Sequence, residues 1–196
     1  MKLRIVRILA ILLVTAGLVG IIPLGYFSLH NKLAVAEQNG TVPVHPLQLQ
    51  PSPTLVTGQP TAISIPSLSM NLQVIPGIYN PKTGQWTLTL DKAQFAEPSV
   101  QPNNQAGNTL IYGHYRPEVF AYLHLIQPGA QAIVTTSNGY TFTYTYQNSE
   151  PLDPTDTSIF TYSGVPRLTI QTCSGSFMQH RQMYYFRYDG YTKTVN

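Results

Sequence analysis

The chain has 196 residues, of which 43% are hydrophobic and only 10% are charged. This composition suits one β-rich, extracytoplasmic domain with additional segments, and the length is too short for two ordinary domains. From Thr61 onward seven basic and seven acidic residues balance, so the formal charge of +3 belongs to the N-terminus and offers no basic face for nucleic acid.

Residues 1–30 predict a cytoplasmic N-terminus followed by a transmembrane anchor. Lys2, Arg4 and Arg7 precede an uncharged run from Ile8 to Phe27, and about 20 apolar residues are enough to span a bilayer. Because these positive charges lie on the short N-terminal side of the span, they keep the N-terminus in the cytoplasm and place the rest of the chain outside the cell. We therefore expect a single-pass protein of the cell membrane with an extracellular domain. A cleaved signal peptide is the alternative, because Ala34 to Ala36 has the small-x-small pattern of a cleavage site.

Residues 31–60 predict an extracellular tether. The stretch is polar, contains five prolines and has no helical period. Such a composition is typical of a stiff segment with polyproline II character, which would hold the following domain away from the membrane.

Residues 61–196 predict a mainly β domain. Short runs of strand-forming residues alternate with Gly, Pro and Asn signals, and Asn138-Gly139 is a strong hairpin signal. We expect a closed or nearly closed barrel of seven to eight strands with one or two short helices. The expected strands are TAISIPSL, LQVIPGIY, GQWTLTLD, NTLIYGH, the two halves of QAIVTTSNGYTFTYTYQ, RLTIQTC and QMYYFRY.

One segment, Pro117 to Ile126, has helical spacing. Val119, Phe120, Leu123 and Ile126 form one apolar stripe, and Pro117 suits a first helical turn. We therefore predict a short helix that packs on the barrel through this stripe.

Cys173 is the single cysteine, which excludes an internal disulfide, a CxxC pair and a multi-cysteine zinc site. Considered alone, such a residue is more often a buried, inert hydrophobe. Arg181, however, begins the next strand-like run, so an antiparallel pair would bring its guanidinium near the sulfur. That charge would favour a thiolate and stabilise an oxyanion formed there.

His114 ends another strand-like run, directly after Gly113, and an imidazole is the usual proton shuttle near neutral pH. His30 and His45 lie in the predicted tether. His124 lies in the predicted helix, where we expect it to be packed or solvated, and His180 is expected only at the periphery of the site. The remaining histidines and Cys173 lack metal-ligand spacing, so we predict no metal and no cofactor.

Three motifs together resemble the sortases, the cysteine transpeptidases of the bacterial cell surface. TLIYGH is similar to the sortase strand that ends in Gly-His, and VFAYLHLI to the following short helix. LTIQTC followed by RQMYYF is similar to the strand that ends in Thr-Leu-x-Thr-Cys and to the arginine that opens the next strand. Ile170 replaces the common leucine. The loop between Cys173 and Arg181 is shorter than in class A enzymes, so no class is assigned.

The resemblance implies a sortase-like catalytic barrel over residues 61–196, with Cys173 as nucleophile, Arg181 as oxyanion stabiliser and His114 as proton donor. It implies that Thr172 binds substrate or supports the loop beside the nucleophile. It also implies a peptide groove between the strands that bear Cys173 and Arg181, with the segment from Asn148 to Pro166 as a wall. The implied partners are secreted proteins with an LPxTG-like sorting signal, which are cleaved through a thioacyl intermediate. The acyl group would pass to an amine of a peptidoglycan precursor or a pilin lysine.

Two other functions are weighed against this one. An L,D-transpeptidase-like cell-wall enzyme also pairs Cys with His, but its Ser-x-Gly-Cys signature is missing here. A non-catalytic, membrane-anchored β-barrel interaction module would share the anchor and the strands, but would have no use for the three catalytic residue types.

Overall fold

The protein is described by a computed structural model that covers residues 54–174 and 180–194. The predicted anchor, residues 1–30, and most of the predicted tether lie outside these ranges, so both stay predictions. Within the described ranges, no helix is long and apolar enough to cross a bilayer. The elements, in chain order, are β1 (Pro60–Ile65), a 3-10 helix (Pro66–Leu68), β2 (Met70–Gly77), β3 (Tyr79–Asn80), β4 (Gln85–Trp86), β5 (Ala93–Ala96), β6 (Asn108–Tyr112), a second 3-10 helix (Ala121–Leu125), β7 (Gln131–Thr136), β8 (Tyr140–Leu152), α1 (Ser158–Thr161), β9 (Arg167–Ser174) and β10 (His180–Lys193).

Eight of the described strands form a closed barrel in the order β1-β2-β5-β6-β9-β10-β8-β7. The pairs β2–β5 and β6–β9 are parallel, and the other pairs around the barrel are antiparallel. The predicted closed, mainly β architecture is therefore confirmed. Closure leaves the barrel without an unpaired edge strand.

The interior of the barrel is filled by one face of each strand, because side chains alternate between the two faces of a sheet. On β8, for example, Phe142, Tyr144 and Tyr146 are buried and alternate with threonines. Leu168 and Ile170 of β9 belong to the same interior core. The odd-numbered residues of β9, including Cys173, therefore face the outside of the barrel.

The predicted hairpin at Asn138-Gly139 joins β7 and β8, and its register pairs Thr135 with Thr141. Gly139 adopts a φ of 81°, which glycine tolerates without strain. Its N–H donates to the carbonyl of Thr136 at 3.2 Å. This part of the barrel follows directly from the local turn signal.

The strand predicted around Trp86 is largely wrong. Only Gln85–Trp86 forms β4, which pairs with β3 in a separate two-stranded sheet. The two leucines that follow, Leu88 and Leu90, are 43% and 60% exposed, so a longer strand would gain little burial. The barrel position is instead occupied by β5, whose four residues are all buried. A strand covered on both faces has no alternating pattern of buried and exposed residues. For this reason β5 was not predicted from the sequence.

The predicted helix over Pro117 to Ile126 is only partly correct. The apolar stripe is buried as expected, but the regular part is a 3-10 helix over Ala121–Leu125. Leu123 N–H donates to Phe120 and Ile126 N–H donates to Leu123, which is the i→i−3 spacing of a 3-10 turn. With α1 and the helix at Pro66–Leu68, the described ranges hold three short helices, one more than expected.

The end of the predicted tether lies against the barrel from residue 54 onward. Val56 N–H donates to the side-chain oxygen of Asn104 at 2.8 Å, and the Asn104 amide donates back to the carbonyl of Thr54 at 3.0 Å. These bonds hold residues 54–58 beside the 102–104 loop. The last part of the predicted tether, from Thr54 to Pro60, is therefore part of the folded domain.

Candidate active site

Cys173 and Arg181 lie on adjacent antiparallel strands and face each other in the register of β9 and β10. The predicted pairing of these two strands is confirmed. Arg181 Nη1 lies 3.8 Å from Cys173 Sγ. Because directly paired residues lie on the same face of a sheet, the guanidinium reaches the sulfur on the outside of the barrel. A permanent positive charge thus stands beside the thiol.

The Cys173 thiol is free and half-buried. A cysteine packed inside the barrel would be inaccessible, as Leu168 and Ile170 of the same strand are. Cys173 instead lies near the end of β9 on the outer face, where the residue keeps part of its surface exposed. The structure therefore does not support the interpretation of Cys173 as an inert core residue.

His114 follows the end of β6, the strand that lies beside β9 in parallel. Tyr112 pairs with Gln171, and the Gly113 N–H donates to the Gln171 carbonyl at 3.1 Å. If this register is continued two residues past the end of β6, His114 is level with Cys173, at the spacing of about 4.8 Å that separates paired strands. Because side chains alternate along an extended chain, we expect the side chain of His114, a half-buried residue, to face outward in the same outer strip as Cys173 and Arg181.

The backbone at Gly113 and His114 is held on both sides. The Thr172 hydroxyl donates to the Gly113 carbonyl at 3.0 Å, and the Phe120 N–H donates to the His114 carbonyl at 3.2 Å. A Cβ on Gly113 would lie 2.7 Å from Val119 Cγ1, so only glycine permits this close packing. Gly113, the residue before His114, is thereby hydrogen-bonded to Thr172, the residue before Cys173.

Thr172 is only 2% exposed, and its hydroxyl is used in the bond to Gly113. Of the two roles expected for this residue, this geometry favours support of the site. The described atoms give no direct support to substrate contact through Thr172.

The other described histidines have no place beside the sulfur. His124 is exposed on the second 3-10 helix, and its Nδ1 lies 2.6 Å from the Ala121 carbonyl, in agreement with the expected packed or solvated state. His180 is exposed and pairs with Ser174. Arg181 pairs with Leu152 at the end of β8, so His180 lies level with the start of the β8–β9 connection. There, hydrogen bonds from the side chain and the N–H of Thr155 lower the pKa of Asp153, with a smaller contribution from His180.

In residues 54–174 and 180–194, no three His, Cys, Asp or Glu side chains come together as metal ligands would. The chemistry that this part of the chain offers at the site is a sulfur nucleophile, a fixed cation and an imidazole. These are the groups needed for nucleophilic attack on a carbonyl, for charge stabilisation and for proton transfer.

The segment between β8 and β9 covers part of the outer face next to the site. β8 continues to Leu152, so the predicted wall, which began at Asn148, starts as a loop only at Asp153. Arg167 fastens this loop: its guanidinium carbon lies 3.7 Å from the ring centre of Tyr162, and its Nε donates to Asn108 Oδ1 at 3.0 Å.

Three further residues that shape this face, Arg167, Tyr112 and Trp86, were not predicted from the sequence. The one available signal was the single tryptophan in a turn-rich segment. Arginine and tyrosine in strand-like runs have no local pattern that distinguishes them from solvated residues.

The family model described as Sortase domain matches residues 63–188, which is more than half of the chain. No curated protein sequence matches the chain.

Several solved sortase structures are similar to the chain. Sortase E1 from Streptomyces coelicolor, solved with a tripeptide in the active site, is 21% identical, with 69% of this chain and 91% of that chain covered and a TM-score of 0.55. Sortase A from Listeria monocytogenes is 20% identical, with 71% and 91% covered and a TM-score of 0.53. Sortase C1 from Streptococcus suis is 19% identical, with 69% and 75% covered and a TM-score of 0.56.

At these identities the structural matches show the fold, and the family model supplies the assignment. The assignment favours the enzyme over the interaction module and the L,D-transpeptidase considered as alternatives. Taken with the barrel and the outer strip of cysteine, arginine and histidine, the match over residues 63–188 shows that this chain belongs to the sortase family of cysteine transpeptidases.

Proposed function

We propose that this sortase cleaves a C-terminal sorting motif of secreted proteins and transfers the acyl part to an amine, with Cys173, Arg181 and His114 as its catalytic residues. The observation that carries the proposal is the 3.8 Å contact between Arg181 Nη1 and Cys173 Sγ. It lies on the outer face of the barrel, level with His114 in the β6–β9 register.

In the first step, the Cys173 thiolate attacks the carbonyl carbon of the scissile peptide bond. Negative charge moves to the carbonyl oxygen, where the fixed charge of Arg181 stabilises it. The tetrahedral intermediate collapses as the C–N bond breaks. The His114 imidazolium gives its proton to the leaving amine, and a thioester remains on Cys173.

In the second step, an incoming amine attacks the thioester carbon. His114, now neutral, accepts the proton of that amine, and the C–S bond breaks to return the thiolate. Dividing the transfer in this way replaces one difficult displacement by two easier ones. No bond to Arg181 is made or broken, because its role is electrostatic.

The proposed donor is a secreted protein with an LPxTG-like signal, and the proposed acceptor is an amine of a peptidoglycan precursor or a pilin lysine. Anchoring in the cell membrane through residues 1–30, with the catalytic barrel outside, is part of the same proposal. It is supported by the uncharged run after Arg7 and by the extracellular substrates of such an enzyme.

The test is cleavage of a fluorogenic LPxTG-type peptide by the full chain and by Cys173→Ala. We expect the variant to lose cleavage entirely, because no other cysteine exists in the chain. Mass spectrometry of the wild-type protein should detect an acyl adduct on Cys173 that hydroxylamine removes, as a thioester requires. Full cleavage by Cys173→Ala would refute the proposal.

Arg181→Lys tests the electrostatic step. We expect kcat to fall by roughly a hundredfold or more, because removal of one oxyanion donor costs that much in other acyl-transfer enzymes and an ammonium replaces the fork by a point charge. Arg187→Lys is the matched control on the same strand, where the arginine bonds Asp189 at the surface. Equal activity of the two variants would contradict the role of Arg181.

A further inference from the structure

The hairpin of β3 and β4 is a separate small sheet that is attached to the barrel through Tyr112. The Tyr112 hydroxyl donates to the Thr87 carbonyl at 2.7 Å. The Trp86 indole meets the Tyr112 ring edge-on, with centroids 5.5 Å apart and an interplanar angle of 70°. A Cβ on Gly77 would lie 2.3 Å from the Tyr112 hydroxyl oxygen, so glycine at that position allows the tyrosine to reach the hairpin.

Trp86 also contacts a second segment that comes from a distant part of the sequence. Its ring stacks on Phe160 of α1, with centroids 6.0 Å apart and planes only 6° apart. The neighbouring Ile159 is buried in a cluster with Ala96, Leu110 and Tyr112. The indole therefore joins the β3–β4 hairpin to the β8–β9 connection above strand β6.

Tyr112, Trp86 and Phe160 form an aromatic bridge. This bridge lies close to the proposed catalytic groups. Tyr112, the last residue of β6, is two residues before His114, which is about 7 Å along an extended chain, and it pairs with Gln171, two residues before Cys173. Trp86 and Phe160 are both half-buried, so part of each ring remains at the surface. The bridge thus stands beside the outer strip without belonging to the reacting groups.

We propose that Trp86 is a positioning residue that holds α1 and the 153–166 loop in place as the wall of the peptide groove, through its stack on Phe160. The inference rests on the proposed function, because the groove serves a peptide only if Cys173 attacks one. Without the stack, the 153–166 loop becomes ordered only when the peptide binds. The entropy cost of that ordering weakens the affinity for the peptide. The acyl-transfer step itself involves other atoms and is unaffected.

The first measurement is steady-state cleavage of the LPxTG-type peptide by the full chain, Trp86→Ala, Trp86→Phe and Leu90→Ala. We expect KM to rise roughly three- to tenfold for Trp86→Ala, as the loss of a stacked aromatic pair suggests, with kcat within about twofold of wild type. Trp86→Phe should restore most of the affinity, because a phenyl ring can still stack on Phe160. Leu90→Ala removes an exposed apolar side chain from the same segment and should leave KM unchanged.

The second measurement uses the fluorescence of Trp86, the single tryptophan in the chain. In the Cys173→Ala protein, binding of the uncleaved peptide should change the emission, and Phe160→Ala should change the emission of the peptide-free protein. Iodoacetamide should alkylate Cys173 at the same rate in Trp86→Ala and in the wild type, which shows that the thiol itself is undisturbed.

The outcomes separate the two proposals. A wild-type protein that cleaves no peptide would overturn both of them. Normal wild-type cleavage with an unchanged KM in Trp86→Ala would overturn the positioning role alone, and so would a fall in kcat at constant KM. Emission that is the same with and without Phe160 would show that the stack does not form.

Discussion

Thr172 and Gly113 connect the nucleophile strand to the histidine strand. The Thr172 hydroxyl is buried and donates to the Gly113 carbonyl, and each of these residues directly precedes one of the proposed catalytic residues. We expect this bond to fix the distance between the sulfur and the imidazole more tightly than strand pairing alone would. Proton transfer is sensitive to such distances.

We expect Thr172→Val to lower kcat by roughly ten- to hundredfold while KM stays near that of the wild type. Valine keeps the shape of threonine but leaves the Gly113 carbonyl without its donor, which also costs about 1–3 kcal/mol of stability. Thr172→Ser retains the hydroxyl and should recover most of the activity. Peptide kinetics and thermal unfolding of both variants provide the measurement.

The opposite pattern would identify a different role for this residue. A raised KM with unchanged kcat in Thr172→Val would mean that the side chain binds substrate, as the resemblance also allows. Equal loss of activity in Thr172→Ser would show that the hydroxyl is not the important group.

At the residue scale, the sequence identifies the candidate site through combined motifs and not through single residues. A lone cysteine favours a buried hydrophobe, and a lone arginine at a strand end favours solvation. The order Gly-His, Thr-Cys and Arg changes that interpretation. The hydrogen bond from Thr172 to Gly113 could not be predicted from the sequence, because it joins residues 59 positions apart.

At the element scale, Arg167 is the first residue of β9 and a contact point for the loop before it. Its guanidinium lies over Tyr162 at 3.7 Å and over Tyr185 at 5.1 Å. Asn108 Oδ1 accepts from both Arg167 and Thr169. Three elements, β6, β9 and β10, thereby hold the 153–166 loop on the outer face.

We expect Arg167→Ala to release this loop and to lower the free energy of unfolding by about 1–3 kcal/mol, through loss of a cation–π contact and a hydrogen bond from a charged group. Limited proteolysis should then cut within residues 153–166 faster than in the wild type. Arg187→Ala is the matched control, because Arg187 pairs with Arg167 in the register but is largely exposed. Equal cleavage of the two variants would contradict the proposed fastening.

The strand predictions succeeded where one face of the strand is buried and the other is not. The hairpin of β7 and β8 and the pair β9–β10 have alternating patterns that remain visible in the sequence. β5 is covered on both faces and is only four residues long, so it lacks that pattern. The segment after Trp86 alternates but leaves its leucines exposed, and alternation alone does not guarantee a place in the barrel.

At the scale of the whole molecule, folding shields tyrosines that would otherwise titrate near pH 10, with Tyr184 inside the barrel and Tyr185 partly covered on its outer face. Burial raises the pKa of Tyr184 to about 12, with a smaller contribution from Tyr146. Burial, a hydrogen bond to Glu150 and the charge of that carboxylate raise the pKa of Tyr185 to about 12. Both phenols therefore keep their protons in the folded state at pH values where the unfolded chain has lost them.

We expect the stability from this effect to be fully present below pH 10 and to be lost as pH rises from 10 to 12. A raised folded-state pKa means that the unfolded state binds fewer protons in that window, so unfolding becomes easier as pH increases. Tyr184 should contribute at most about 3 kcal/mol. Thermal unfolding at pH 8, 10, 11 and 12 gives the measurement, with Tyr184→Phe as the variant whose stability should fall less. A melting temperature that is constant from pH 8 to 12 would contradict the prediction.

The sequence by itself determined the family, the barrel class and the three candidate catalytic residues, because these depend on local motifs and on the alternation of buried and exposed side chains. The tertiary structure decided which short strand closes the barrel and placed Thr172 against Gly113. It also brought Trp86 onto Phe160 and Arg167 onto Tyr162. The physical reason is that these contacts join segments distant in the sequence, and their energies depend on burial and geometry that arise only when the barrel closes.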